Sequence, residues 1–123
     1  MSSRKRPTKF GYRGIIRVED VYDGDSCRCD LDLGLGVWVR RAALRLANIN
    51  CPELRGSTRA AGIEARNFLR DMIPGDGEVL VRTTKKGKYG RWIAEIWIEK
   101  GPQRLVCVND EMLRAGHATK YID

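Results

Sequence analysis

Leu44-Arg45-Leu46-Ala47-Asn48-Ile49-Asn50-Cys51-Pro52-Glu53 is an apolar, strand-forming run that carries one arginine and ends in a proline beside a carboxylate. A guanidinium is permanently charged and costly to bury unless an anion meets it, so Arg45 asks for a partner. Pro52 has no amide proton, which ends the strand ladder and displays Glu53 on the loop beyond it. The stretch has a plain reading too, with Arg45 on a strand surface and Glu53 as a solvated loop acid.

Upstream, Asp23-Gly24-Asp25 precedes the cleanest alternation in the chain. Strand side chains point to opposite faces at each step, so Cys27, Cys29, Leu31 and Leu33 share one face and Arg28, Asp30 and Asp32 the other. Asp25 has the parity of the cysteines, which predicts a carboxylate at the inward side of the strand's beginning. An inward charge needs a partner, and a bound cation is one candidate. The same tripeptide also reads as an ordinary turn. Cys27 and Cys29 read as small buried hydrophobes, because neither Cys51 nor Cys107 has a Cys or His neighbour at zinc-motif spacing.

Residues 12–22 read as a further strand, and Gly34 to Gly36 turn the chain into a long strand over residues 37–49. Beyond Glu53, residues 54–59 form a short polar loop, followed by a helix with Ile63, Phe68, Leu69, Met72 and Ile73 on its apolar stripe and Pro74-Gly75 at its end. Residues 78–83 and 91–99 read as strands around a basic loop, Lys85-Lys86-Gly87-Lys88-Tyr89-Gly90, suited to a phosphate backbone. In the second of these strands Arg91 has the parity of Glu95 and Glu99, away from the core side. Residues 105–108 return the chain, and Asn109 is a candidate cap for a short helix closed by Gly116. The one histidine, His117, lies at that helix end, which leaves a Cys-His hydrolase without support.

A chain of 123 residues, 42% hydrophobic, suits one domain over residues 11–123 behind a basic arm at residues 1–10. Its 23 Lys and Arg against 16 Asp and Glu give a formal net charge of +7, which favours a polyanionic partner such as DNA or RNA. No run approaches the ~20 apolar residues of a membrane span, and the N-terminus lacks the apolar core of a signal peptide, so a cytoplasmic location and no membrane partner are expected.

Four motifs in order carry a resemblance to a known family. Asp23-Gly24-Asp25-Ser26, then Arg45-Leu46 with Asn50-Cys51-Pro52-Glu53, then Lys88-Tyr89-Gly90-Arg91, then Val108-Asn109 before a last helix, together resemble the staphylococcal (thermonuclease-like) nuclease family. The resemblance implies a β-dominated α+β fold, a five-stranded barrel of the oligonucleotide-binding type with two helices. It also implies calcium-dependent hydrolysis of phosphodiesters in DNA or RNA, with single strands preferred, breaking the bond to the 5′ oxygen and leaving 3′-phosphate ends. Carried over residue by residue, Glu53 is the base and Arg45 and Arg91 clamp the transition state. Asp25, Asn50 and the backbone carbonyl of Cys51 hold the ion, and Lys88 and Tyr89 contact a terminal phosphate; apart from the resemblance, Asp23 is a candidate to make up the charge missing at Asn50. Two positions depart from the pattern: Asn50 stands where the family has a second metal carboxylate, and Gly87 where it has an acid. One charge fewer weakens a calcium site.

The alternative is a barrel that binds nucleic acid without turnover. Retention of Arg45, Glu53 and Arg91 together favours the enzyme. A membrane-surface or protein-interaction domain driven by charge alone leaves that trio unexplained.

Overall fold

The computed structural model describes residues 11–122, so the basic arm expected at residues 1–10 lies outside the described residues. Five strands build the barrel: β1 (Tyr12–Ile15), β3 (Ser26–Gly34), β4 (Val37–Leu46), β6 (Glu78–Lys86) and β7 (Trp92–Gly101). Their pairings return on themselves. β1 pairs with β6, β6 with β7, β7 with β4, β4 with β3, and β3 with β1. Four of these pairings are antiparallel, and β4 with β7 is parallel, through Leu44 opposite Trp92 and Leu46 opposite Ala94. Closure removes the strand edges that an open sheet of this length would expose. The five-stranded barrel with two helices is therefore the fold that the sequence led one to expect.

Two short strands extend it. β2 (Val21–Asp23) pairs with β3, and β8 (Arg104–Cys107) pairs with β7. The single strand expected over residues 12–22 is in fact broken: a 3-10 turn at Val18–Asp20 separates β1 from β2. Asp20 lies in that turn with its carboxylate buried, as is that of Asp30 on β3, and both meet arginines. Arg41 lies 2.9 Å from Asp20, and Arg17 and Arg40 lie 3.1 and 3.3 Å from Asp30. The Arg41 amide, with those arginines, holds the Asp30 carboxyl below its usual range.

Cys27, Cys29, Leu31, Leu44, Leu46, Val81 and Ile96 fill the interior, and all four cysteines are buried. Leu33 lies beyond the barrel end and is exposed. The parity reading of β7 needs a correction, because Ile93, Glu95 and Trp97 are buried as well as Ala94, Ile96 and Ile98. A second apolar cluster of Trp97, Leu105 and Cys107 with Leu80 covers the outer face, where the Trp97 indole N–H donates to Glu95 at 3.2 Å.

Helix α1 (Arg59–Met72) closes one mouth of the barrel. Its deepest residues are Gly62, Ala65 and Leu69, with Ile63, Phe68 and Met72 only partly buried, so small side chains set a close approach. Helix α2 (Val108–Arg114) follows β8, and its N-cap is Cys107, not Asn109. The buried Asn109 amide instead ties three segments together. Its Oδ1 accepts the Ile96 N–H at 3.1 Å, and its Nδ2 donates to the Ala47 and Ala94 carbonyls at 3.0 and 3.1 Å. Past α2, β9 (Thr119–Lys120) pairs with β5 (Ile49–Asn50), beside the stretch that carries Glu53.

Candidate active site

Ser26 stands opposite Arg45 across the β3–β4 ladder, and Arg45 stands beside Ile93 across the parallel β4–β7 pairing. Leu44 and Leu46 point into the core, so alternation turns Arg45 to the opposite face. It does not reach open solvent there. Its side chain is 15% exposed, with Nη1 3.3 Å from Asp25 Oδ2 and 3.4 Å from the Leu46 carbonyl, and Nη2 3.5 Å from Asn50 Oδ1.

Asp25 is the partner that Arg45 required. Its carboxylate is buried, as parity predicts, and the tripeptide is also a turn, so both readings of Asp23-Gly24-Asp25 hold. Oδ2 accepts the Cys51 N–H at 2.9 Å, Oδ1 accepts the Ser26 hydroxyl at 3.3 Å, and the Asp25 N–H donates to Asp23 Oδ1 at 3.1 Å. Ser26 Oγ in turn accepts from Arg91 Nη1 at 3.3 Å. A single chain of polar contacts therefore joins Arg91, Ser26, Asp25 and Arg45. Ser26 was visible in the sequence as part of a motif, but its position between arginine and carboxylate was not. A side chain on Gly24 would lie 2.7 Å from the Cys51 sulfur and 2.8 Å from Ala65 Cβ, so only glycine lets this turn sit under α1.

Glu53 is held differently. A Cβ on Gly62 would come within 2.6 Å of the Glu53 carbonyl, and the Thr58 hydroxyl donates to that carbonyl at 2.9 Å, so helix and loop both grip the backbone. The carboxylate itself is exposed, and its contact is the Arg55 Nε at 3.5 Å. The structure thus brings Arg45, Arg91, Asp25 and Asn50 together and leaves the Glu53 carboxylate in solvent beside Arg55.

Between β4 and the β6–β7 loop lies a cleft of about 330 Å³ lined by Arg45, Arg91, Lys85, Lys86, Lys88 and Tyr89. The loop is tight, since the Gly87 N–H donates to the Arg91 carbonyl at 2.7 Å and Gly90 takes a positive φ of 79°. Gly87, the position lacking the family's acid, therefore works through its backbone to deliver Arg91. Arg91 accordingly faces this cleft with Ile93. Tyr121 also lines it, a residue the sequence did not single out, because β9 pairing with β5 is what brings it there.

Burial raises the Asp25 carboxyl above its ordinary range, and the hydrogen bond with the Asp23 carboxyl and its charge push the same way. The Cys51 N–H and Arg45 oppose them without cancelling them. Ionised Asp25 therefore costs stability: its contribution is most favourable below the ordinary carboxylate range and is lost as pH rises through the raised value. Asp25→Asn is expected to be more resistant to urea than the parent at neutral pH, with the difference shrinking on acidification toward the ordinary carboxylate range. Denaturation midpoints of the two proteins across that window measure it, and a difference independent of pH would contradict the assignment.

Among the described residues no three His, Cys, Asp or Glu cluster as a set of metal ligands. The Cys51 thiol, pushed up to about 12 chiefly by burial, is no ligand at neutral pH. Side-chain oxygens of Asp25 and Asn50 meet Arg45, and the Asp23 carboxylate adjoins Asp25 through its N–H. An all-oxygen set of carboxylates and a neutral amide is the donor chemistry that suits a hard dication. His117 is no part of this set; its ring centroid lies 4.7 Å from that of Phe68.

No helix among the described residues is long and apolar enough to cross a membrane. A family profile described as staphylococcal nuclease homologue matches residues 43–123, from the middle of β4 onward. A search of curated proteins found no match.

Proposed function

The chain belongs to the staphylococcal nuclease family, a nuclease-like family that acts on nucleic acids, and from that premise we propose that it hydrolyses phosphodiester bonds in single-stranded DNA or RNA. The observation that carries the reading is the two arginines on one basic cleft, joined through Ser26 and Asp25.

Hydrolysis needs an activated water, neutralised charge on the non-bridging oxygens, and in-line geometry. Lys85, Lys86 and Lys88 draw the backbone into the cleft, and Lys88 and Tyr89 meet a terminal phosphate. Arg45 and Arg91 then donate to the non-bridging oxygens, where planar guanidinium forks match the paired acceptors. Glu53 orients water and takes its proton as oxygen bonds to phosphorus. The bond to the 5′ oxygen breaks, that oxygen takes a proton from solvent, and the phosphate stays on the 3′ side. Asp25, Asn50 and the Cys51 carbonyl, with Asp23 beside them, would hold a calcium ion that neutralises part of the phosphate charge.

The test is cleavage of heat-denatured DNA and of RNA with calcium and with chelator. Cleavage with calcium and its loss with chelator are expected, and full activity in excess chelator would remove the metal from the reading. Glu53→Gln keeps shape and removes the base, so turnover should fall by about a hundredfold or more with affinity nearly unchanged. One observation favours a second reading, a binding module without turnover: the exposed Glu53 carboxylate meets Arg55. Binding with no cleavage under any divalent ion would select it.

A further inference from the structure

We propose that Tyr121 is a positioning residue that locks the Arg45 guanidinium in its phosphate-receiving orientation. The inference rests on the reading of the cleft as a phosphodiester site.

The Arg45 guanidinium carbon lies 5.4 Å from the centre of the Tyr121 ring, within the range at which the ring quadrupole attracts a cation. The polar contacts of Arg45 are all long, from 3.3 to 3.5 Å, to Asp25, Leu46 and Asn50. A four-torsion side chain held by such contacts keeps much of its freedom, and holding the fork still is what separates a bidentate phosphate clamp from a diffuse charge. The ring supplies a flat wall that a single carboxylate oxygen at 3.3 Å does not.

Tyr121 is itself anchored through its backbone. Its N–H donates to the Asn48 carbonyl at 2.9 Å, while Thr119 and Lys120 pair with Asn50 and Ile49. The ring is thereby fixed to the same short strand that carries Asn50. Its residue remains 48% exposed on the cleft, so the contact with Arg45 is not simply the by-product of core burial.

A double-mutant cycle tests this in the full chain, reading kcat and KM on a short single-stranded DNA and, in chelator, binding of the same DNA by fluorescence anisotropy. Tyr121→Leu is expected to lower kcat about tenfold, the size of a partly desolvated cation–ring contact, while Tyr121→Phe, which keeps the ring, stays close to the parent. In an Arg45→Ala background the same Leu substitution should change little, because its effect passes through Arg45. An equal loss in both backgrounds, or a loss confined to KM, would make Tyr121 a plain wall for a base and overturn the proposal. So would a Leu variant that behaves like the parent.

Should Tyr121→Leu unfold, the parent and Tyr121→Phe still decide the matter. The Arg45 side-chain resonances must show a ring-current displacement in both, and its absence would sink the contact. If the parent binds DNA without cutting it, the catalytic reading fails on its own, and the cycle run on binding still tests Tyr121. A parent that neither binds nor cuts overturns both.

Discussion

Arg45→Lys is expected to lower turnover on single-stranded DNA or RNA by about a hundredfold, although it keeps the charge. One ammonium cannot stay near Asp25 Oδ2 at 3.3 Å, near Asn50 Oδ1 at 3.5 Å, and also present two parallel donors to a phosphate. It also gives up the planar face that lies against Tyr121. The fold should be nearly indifferent, because Arg45 lies on the face of β4 opposite Leu44 and Leu46, which fill the core. Steady-state rates beside thermal midpoints measure both halves of the expectation. A lysine variant that cleaves at the parental rate would show that Arg45 supplies only positive charge.

Asn109→Leu should have the largest effect on stability, about 3 kcal/mol, although the new side chain has similar volume. The amide satisfies the Ile96 N–H and the Ala47 carbonyl and adds a donor to the Ala94 carbonyl, all in buried surroundings. Leucine leaves the first two without that partner, and a buried unsatisfied polar group costs its full desolvation. Urea denaturation with an unchanged m-value checks this. A loss under about 1 kcal/mol would mean that water or the backbone takes over those bonds.

The cost falls on the link between the two halves of the site. Asn109 joins the end of β4, just past Arg45, to the middle of β7, just past Arg91. Partial loosening there should therefore lower activity before the protein unfolds, which the same variant can report at low urea.

The alternation of Cys27, Cys29 and Leu31 was enough to place Asp25 facing inward, because strand parity is local and Ser26 to Cys29 pair with Arg45 to Ala42 without a shift just past it. Arg45 could be singled out for the same kind of reason, a charge whose run of apolar neighbours demands a partner. Order along the chain was sufficient for the family. Local pattern failed where burial came from elsewhere. Residues 12–22 read as one strand, yet a 3-10 turn interrupts it at Asp20, which is buried against Arg41 from distant β4. Asn109 sits where a cap residue belongs, but distant backbone groups of β4 and β7 claim its amide.

By itself, then, the sequence determined the inward carboxylate and the basic loop, through parity and charge among near neighbours, and the family, with the barrel class that it implies, through the order of motifs along the chain. Only the tertiary structure decided which groups touch. Closing β4 onto β7 in parallel brings Arg45 and Arg91 to one cleft, Ser26 bridges Arg91 to Asp25, and β9 lays Tyr121 against Arg45. Tertiary structure also left the Glu53 carboxylate exposed beside Arg55. These contacts join residues from separate strands through ladder register and loop closure, which are properties of the whole barrel and have no signature in any one window of the chain.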